Sequence, residues 1–358
     1  MPDVTEQLVD QIQQARSEQR SLMITGQGSK RHYGRDSRCD KRLDLTKHCG
    51  IIEYQPEELV LTVRAGTSLS DIDEVLEPRG QMLVGEPPRY GGSGTIGGSV
   101  ACNISGPSRP WTGSLRDSVL GVQLIDGSGS VLRFGGRVIK NVAGYDVSRL
   151  QCGALGCLGV ISEISLRVTP RPASSKTIIL PIDDHQDALE HMSIIGLQST
   201  PTTGICWING ELFVRFQGSV KAVEKAMSDY LVDWPGAKET ETDSSLWASV
   251  RDHSSKYFSS DVPLWRLSVH PAKSVSTERP DIVDWGGRTR WIYADATMSE
   301  MAELAAAMDG QACLFRGALQ GDEVFHPLTD ELKRLHQGLK AKFDPDGLFN
   351  PGRLYSWL

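Results

Sequence analysis

The stretch that decides the fold is GGSGTIGGSVACNISGPSRPWTGSLRDSVLG, residues 91–121. Its glycines permit positive φ angles and carry no side chain that would keep a ligand away from the main chain. Successive main-chain N–H groups in such a run suit phosphates. A flexible linker is the alternative, but linkers rarely hold Thr95, Ile96, Val100 and Trp111 among their glycines. The stretch therefore indicates a loop that binds a phosphate-containing ligand.

An earlier segment supports this interpretation. Residues 21–25 (SLMIT) are typical of a short buried strand, and they run directly into GQGSK (26–30), a turn of small residues that ends in a cation. Such a turn can hold a pyrophosphate. A Rossmann fingerprint would need a third glycine where Arg31 stands, and no GxxxxGK[ST] string occurs. A nicotinamide-binding Rossmann unit and a nucleoside triphosphatase are therefore both disfavoured.

Composition narrows the class of protein further. The 358 residues suffice for two domains, and a net charge of -7 argues against nucleic acid as the main partner. No apolar run of about 18 residues and no apolar signal core occur, so neither a membrane span nor secretion is expected. The seven cysteines form no CxxC pair and the eight histidines no HExxH motif. We therefore expect reduced thiols in a cytoplasmic setting and no metal site.

Periodicity predicts an α+β chain in two parts. The first part combines a helix over 4–16, a strand over 59–66, a helix from about Ser70, a hairpin around 126–129 and a half-buried strand at 164–169. Prolines at 170 and 172 mark a boundary. The second part begins β-α-β-β-α, which is typical of a ferredoxin-like layer, and a repeat of it predicts one continuous sheet with helices on one face. An apolar stripe, Leu328, Leu332, Leu335 and Leu339, marks the last helix.

Long motifs in a fixed order resemble the FAD-linked oxidases of the vanillyl-alcohol oxidase type, with a PCMH-type FAD-binding domain. Among these, they are most similar to the smaller of the two flavin-binding chains of bacterial glycolate oxidases. The motifs are TGQGSKRHYG (25–34), VRAGTSLSDIDEVLEPRGQML (63–83), EPPRYGGSGTIGGSVACNISGPSRPWTGSLRDSVLG (86–121), VIKNVAGYDVSRLQCGALGCLGVISEISLRV (138–168) and FDPDGLFNPGRL (343–354).

The resemblance implies an α+β architecture of three parts. A PCMH-type FAD-binding domain occupies residues 1–170, with subdomains at about 1–55 and 56–170. A ferredoxin-like cap domain occupies 176–325, and a C-terminal helix and tail, 326–358, return to the FAD domain.

The resemblance also implies which residues bind the cofactor. The first loop would meet the pyrophosphate, the second glycine run would line the pyrophosphate and ribityl chain, and a later strand would lie against the adenine half. In order, these residues are Thr25, Gly26, Gln27, Gly28, Ser29, Lys30, Thr95, Ile96, Gly97, Gly98, Ala101, Asn103, Gly106, Gly113, Gly159, Val160 and Ile161.

Two departures from the family pattern bear on chemistry. Covalent relatives often carry histidine where this chain has Gly28, so we expect FAD to be bound non-covalently. The GDGNxH-type stretch of the larger subunits is absent, and the nearest alternatives are LSVHP (267–271) and VFHP (324–327). Lys140, Tyr145, Asp146, Arg316 and Arg353 are further charged or polar candidates, but none is assigned a catalytic role.

The resemblance therefore implies an FAD-dependent oxidoreductase: the FAD-binding subunit of a complex that oxidises glycolate, or another 2-hydroxy acid, to the 2-oxo acid. The expected partners are a larger FAD-binding subunit and an iron–sulfur subunit, which receives the electrons. The expected location is the cytoplasm, with attachment to the inner membrane only through those partners. Two alternatives stay open: an assembly subunit with a vestigial flavin site, and a self-sufficient dehydrogenase of another small 2-hydroxy acid.

Overall fold

The computed structural model describes residues 3–92, 94–136, 145–240, 243–317 and 323–358. Its contacts divide the chain into two compact units. The first comprises residues 1–104, 114–170 and 327–358, and the second comprises residues 105–113 and 171–326. Residues 105–113 thus join the second unit, although the predicted boundary at 170 assigns them to the first.

The elements of the chain up to the boundary at Pro170 alternate short strands with short helices. They are α1 (Thr5–Ser17), β1 (Leu22–Thr25), β2 (Lys41–Asp44), β3 (Ile51–Gln55), β4 (Val60–Arg64), α2 (Leu69–Leu76), β5 (Gln81–Leu83), α3 (Ile96–Cys102), α4 (Arg109–Thr112), α5 (Leu115–Ser118), β6 (Val119–Ile125), β7 (Val131–Gly135), α6 (Val147–Leu150) and β8 (Val160–Pro170).

The remaining elements follow the repeat that the sequence predicts, with additions. They are β9 (Ser174–Pro181), α7 (His185–Gly196), β10 (Thr202–Ile208), β11 (Glu211–Gly218), α8 (Val220–Asp233), β12 (Lys238–Glu239), α9 (Asp243–Asp252), β13 (Leu264–Ser268), β14 (Ile282–Asp284), β15 (Thr289–Tyr293), α10 (Met298–Ala306), β16 (Gln311–Arg316) and α11 (Asp330–Phe343).

The described residues of the first unit form two sheets. Strands β1 and β2 pair in parallel, and β1 is also bridged in parallel to the C-terminal tail at Phe349. The larger sheet has the order β3-β4-β8-β6-β7, with β5 paired to the far end of β8, and all its pairs are antiparallel. The predicted hairpin at 126–129 joins β6 and β7. One apolar core, to which α1 contributes Leu8, Ile12 and Ala15, holds the unit together.

Strand β8 is more deeply buried than its alternating sequence predicts. Its residues 160–166 are all buried, including the polar positions. Ser165 is 7% exposed, and its hydroxyl lies 2.9 Å from that of Thr62 on β4. The polar residues of β8 therefore do not face solvent, because hydroxyls on neighbouring strands form hydrogen bonds with each other in the interior.

The second unit contains one eight-stranded sheet, in the order β12-β9-β11-β10-β14-β15-β13-β16. The first four strands have the ferredoxin-like order 4-1-3-2, and the last four repeat it in reverse as 2-3-1-4, joined through β10 and β14. The second repeat has no helix between its first two strands. A loop over 269–281 stands there instead.

Helices pack on both faces of this sheet, whereas the sequence predicts one helical face. Ile178 belongs to the core that α7 and α8 cover. Its neighbour Thr177 points to the opposite face, as successive strand residues do. There its hydroxyl accepts a hydrogen bond from the Trp247 indole of α9, at 2.7 Å. The prediction therefore missed α9, which buries Trp247 and Val250.

The last helix, α11, does not bury its leucine stripe. Leu332 is 44% exposed and Leu335 63% exposed, whereas Lys340 is buried. None of the helices in the described residues is long and apolar enough to cross a membrane.

The first unit contains a buried titratable side chain, His48. It is 0% exposed, and its Nδ1 lies 3.4 Å from the main-chain nitrogen of Val4. Burial is the main cause that lowers its pKa below the ordinary value of 6.5. The unfolded chain therefore binds a proton at His48 more readily than the folded chain does. The contribution of His48 to the free energy of unfolding is fully present above pH 6.5 and is lost as the pH falls below it.

We expect His48→Gln to flatten the acid limb of the stability curve. Chemical denaturation of the wild type and the variant at a series of pH values measures this. His270→Gln serves as the control, because the His270 side chain is exposed to solvent. Equal acid sensitivity in the wild type and His48→Gln would contradict the assignment.

Candidate functional site

The first loop leaves β1 with several main-chain donors unused. Gly28 has a φ of 78°, which turns the chain immediately after the strand. The amides of residues 26–29 make no hydrogen bond to any residue that the structure describes. Successive N–H groups of this kind form an anion-binding concavity, and donors without acceptors are costly unless water or a ligand satisfies them. The loop is therefore suited to a phosphate group.

The loop can occupy this position only because residue 26 is glycine. A Cβ atom on Gly26 would lie 2.3 Å from the Oγ1 atom of Thr95. Thr95 in turn begins α3, and its hydroxyl accepts a hydrogen bond from the amide of Gly98 at 3.2 Å. The two glycine-containing segments, far apart in sequence, therefore meet at the contact between residues 26 and 95.

The second glycine run serves packing more than donation. The amides of Ile96 and Gly97 donate to the carbonyls of Thr67 and Ala65, each at 2.9 Å. A Cβ atom on Gly97 would lie 2.7 Å from that of Ala65. These amides are therefore not free for phosphate, contrary to the expectation of donors in both loops. The glycines instead let α3 pack closely against the end of β4, and they leave this surface of α3 without projecting side chains.

The two segments form the walls of one crevice within the first unit. It has a main part and an adjoining part, and the two share Thr25, Gly26, Thr95 and Gly98 in their lining. Of the predicted site residues, the crevice brings together Thr25, Gly26, Gln27, Gly28, Ser29, Lys30, Thr95, Gly97, Gly98, Ala101, Gly159 and Ile161.

Five predicted site residues lie elsewhere. Ile96 and Val160 are fully buried in the core. Asn103 ends α3 in a left-handed conformation with a φ of 49°. Gly106 and Gly113 belong to the second unit, where the carbonyl of Gly106 accepts a hydrogen bond from the indole of Trp285 at 3.0 Å.

The two parts of the crevice differ in chemistry. The smaller part is lined mainly by apolar residues and glycines, among them Leu45, Ala65 and Ile161. The main part carries charge, from Lys30, Arg31, Asp36 and Arg353. The loop of unused amides borders both. An elongated ligand with an apolar ring at one end and a diphosphate near its middle would match this distribution.

The C-terminal tail completes the wall, a role that sequence reasoning missed for Asn350. Its side-chain amide donates to the carbonyl of Leu155 at 2.7 Å, and its Oδ1 accepts from the amide of Ile24 at 2.9 Å. Arg353, which also lines the crevice, donates to the carbonyl of Tyr33 at 2.9 Å. The NPGR motif, residues 350–353 after α11, was the signal available for this role, but a sequence does not show which residues a tail contacts.

A buried ion pair fixes the tail in this position. Nζ of Lys340 lies 2.7 Å from the Asp344 carboxylate and also donates to the carbonyls of Cys157 and Phe349, at 2.8 and 2.9 Å. Asp344 also accepts from the amides of Leu348 and Phe349. All three lysine protons thus have acceptors, which is the condition under which a buried charge is tolerated.

The remaining candidates for chemistry have structural roles or lie apart. Cys102 lines the crevice, and burial raises the pKa of its thiol, which makes it a poor nucleophile. Asp146 caps α6 by accepting from the amide of Arg149 at 3.0 Å. Tyr145 is 95% exposed, and Lys140 lies outside the described residues. Arg316 is in the second unit, where it donates to the carbonyl of Phe258 at 3.0 Å.

Both histidines considered as replacements for the missing motif accept main-chain hydrogen bonds. Nδ1 of His270 accepts from the amide of Ala272, and Nδ1 of His326 accepts from the amide of Ala312, each at 3.3 Å. Burial lowers the pKa of His326. These contacts hold the imidazoles in place within the second unit and assign them no role in proton transfer.

Comparison with known proteins defines the class. The FAD binding domain family matches residues 1–135. Alkyldihydroxyacetonephosphate synthase has a similar fold, with a TM-score of 0.66 at 15% identity over 98% of this chain and 76% of its own. The chain is thus an FAD-binding protein with a mixed α and β fold of the PCMH type.

More similar sequences define the family. Glycolate oxidase subunit GlcE of Escherichia coli K12 is 42% identical over 99% of both chains. Glycolate oxidase subunit GlcD of Bacillus subtilis 168 is 33% identical over 44% of this chain and 34% of its own length. The D-lactate dehydrogenase of Anaerostipes hadrus is 32% identical over 41% of this chain and 30% of its own. The chain belongs to the family of glycolate oxidase subunit GlcE.

Proposed function

We propose that this chain is the FAD-binding subunit of a complex that oxidises glycolate or a closely related 2-hydroxy acid. The observation that carries the proposal is the crevice whose entry loop, residues 26–29, presents main-chain amides without acceptors in the described residues. The names of the GlcE and GlcD relatives support the substrate and the membership of a complex. Bound FAD would supply the hydride acceptor for oxidation of the alcohol carbon.

The residues of the crevice would divide the work of holding FAD. The amides of residues 26–29 and Lys30 would bind the diphosphate, and the apolar part around Ala65, Gly159 and Ile161 would take the adenine ring. Gly28 presents no side chain for covalent attachment, and the thiol of Cys102 has a raised pKa. We therefore infer that FAD is held without a covalent bond.

The inferred partners are a larger FAD-binding subunit and an iron–sulfur subunit that takes the electrons. The chain itself would be cytoplasmic and would reach the inner membrane through those partners. The alternative role as an assembly subunit is favoured by His270 and His326, both of which are engaged with the main chain. Its discriminating experiment is the Gly26 series described in the Discussion.

The test is reconstitution of the purified full-length chain with FAD. We expect a flavin absorbance spectrum that survives gel filtration, release of the flavin on acid precipitation, and a rise in melting temperature with FAD concentration, because a ligand that binds only the folded state stabilises it. A colourless protein with an unchanged melting temperature would contradict the proposal. Yellow colour that stays in the acid precipitate would contradict only the non-covalent attachment.

A further inference from the structure

The loop that precedes the second glycine run, described at residues 86–92 and 94, contains an unusual backbone conformation. Glu86 and Tyr90 have φ values of 46° and 41°, in the left-handed region that side chains other than glycine rarely adopt. Such residues persist only where their surroundings hold them, and they concentrate at functional sites. The conformation at Tyr90 therefore requires contacts that stabilise it, and it indicates a functional role for this residue.

The cause is a set of contacts with α2. Arg89 forms an ion pair with Asp73, and both side chains are mostly buried. The hydroxyl of Ser70 donates to the carbonyl of Gly92 at 3.2 Å, and the amide of Leu69 donates to the carbonyl of Gly94 at 2.9 Å. The start of α2 thus fixes the loop on both sides of Tyr90.

The functional role of Tyr90 concerns Lys30, the last residue of the loop that is suited to a phosphate group. The Nζ atom of Lys30 lies 5.7 Å from the centroid of the Tyr90 ring, and His32 meets the same ring edge-on, with the centroids 5.0 Å apart. Lys30 is only 6% exposed. A cation shielded from water over an aromatic face is attracted more strongly than one in solvent.

Gly94 closes the other side of this arrangement. A Cβ atom there would lie 2.6 Å from Nζ of Lys30 and 3.1 Å from Oγ of Ser29. The ammonium group is therefore confined between the Tyr90 ring and the bare main chain of residue 94, at the border of the crevice.

We propose that Tyr90 is a positioning residue, which fixes the Lys30 ammonium as the counter-charge of the diphosphate in the bound dinucleotide. This inference rests on the proposed function. It implies that the pair of Lys30 and Tyr90 provides preference for FAD over riboflavin, which has the same ring system and no phosphate.

The experiment measures the affinities of the full-length apoprotein for FAD and for riboflavin, by quenching of flavin fluorescence at low and high salt. We expect Lys30→Met and Tyr90→Leu each to lower FAD affinity about tenfold, to leave riboflavin affinity unchanged and to reduce the salt dependence of FAD binding. Tyr90→Phe retains the aromatic ring and should behave as wild type. Gly94→Ala should reproduce the FAD-selective loss, which provides a second route if Tyr90→Leu fails to fold.

Two results would overturn the inference. One is an equal loss of FAD and riboflavin affinity in Tyr90→Leu, which would indicate a general role in folding. The other is a defect in Tyr90→Phe as large as that in Tyr90→Leu. A wild-type protein that binds neither flavin would instead refute the proposed function, so the two failures are distinguishable.

Discussion

Gly26→Val is expected to lower the affinity for FAD by about a hundredfold or more. The first atom of any side chain at this position would lie 2.3 Å from Oγ1 and 2.9 Å from Cγ2 of Thr95. The loop must then move away from α3, which displaces the amides of residues 26–29 from the diphosphate. A misplacement of this size removes several charge-assisted hydrogen bonds at once, each worth about 1.5–3 kcal/mol.

The measurement is titration of the variant with FAD, together with its melting temperature without ligand. Gly338→Ala is the matched control, because a Cβ atom at Gly338 in α11 meets nothing within 4 Å. Gly26→Ala should also bind weakly, and Thr95→Ala in the same chain should restore part of the binding because it removes the two closest atoms. Wild-type affinity in Gly26→Val would show that the loop does not hold the cofactor.

The same variant separates the redox role from the assembly role. In a reconstituted complex, loss of both flavin and turnover favours a redox centre. Loss of flavin with unchanged turnover favours an assembly subunit whose flavin site is vestigial.

Arg290→Met is expected to destabilise the second unit by about 3–5 kcal/mol, because it leaves the buried carboxylate of Glu278 without its charge partner. Both side chains are 0% exposed, and Nε of Arg290 lies 2.6 Å from Oε1 of Glu278. The guanidinium also donates to the carbonyls of Gly287 and Lys273. The hydroxyl of Ser274 donates to the other oxygen of Glu278, at 2.6 Å.

Chemical denaturation measures this loss, and an exposed ion pair provides the control. Lys225 and Asp229 lie 2.9 Å apart with side chains 76% and 51% exposed, so Lys225→Met should cost less than about 1 kcal/mol. Replacing both buried partners, with Arg290→Met and Glu278→Leu together, should recover much of the stability, since no charge is then left unpaired. Equal losses for the exposed and the buried pair would refute the assignment.

This ion pair also shows why part of the fold could not be predicted. The first ferredoxin-like repeat is evident from its alternating strands and amphipathic helices. In the second repeat the loop over 269–281 replaces a helix, and the contact of Glu278 with Arg290 holds it to the sheet. Two charges in an irregular loop and a strand produce no periodic pattern, so the sequence indicated the repeat but not this connection.

The candidate site, like the fold, could be predicted from the sequence only in part. Glycines at 26, 28, 97 and 98 predicted a ligand site, and all four line the crevice. Which amides were unused was not predictable, since the carbonyls that accept from Ile96 and Gly97 come from Thr67 and Ala65, in a segment with no sequence link to the loop. The contribution of Asn350 depended on where the tail docks, which only tertiary contacts decide.

The docking of the tail has a consequence for biosynthesis. Strand β1 is bridged to Phe349, and the amide of Ile24 is satisfied by Asn350, so the wall beside the phosphate-suited loop requires a segment that comes 326 residues later in the chain. A nascent polypeptide lacks this wall until residues 349 and 350 have left the ribosome. We therefore expect FAD to bind only after this segment has been synthesised. Leu358 is itself buried, and its carbonyl accepts from the amide of Gly352, so the segment after α11 folds back on itself.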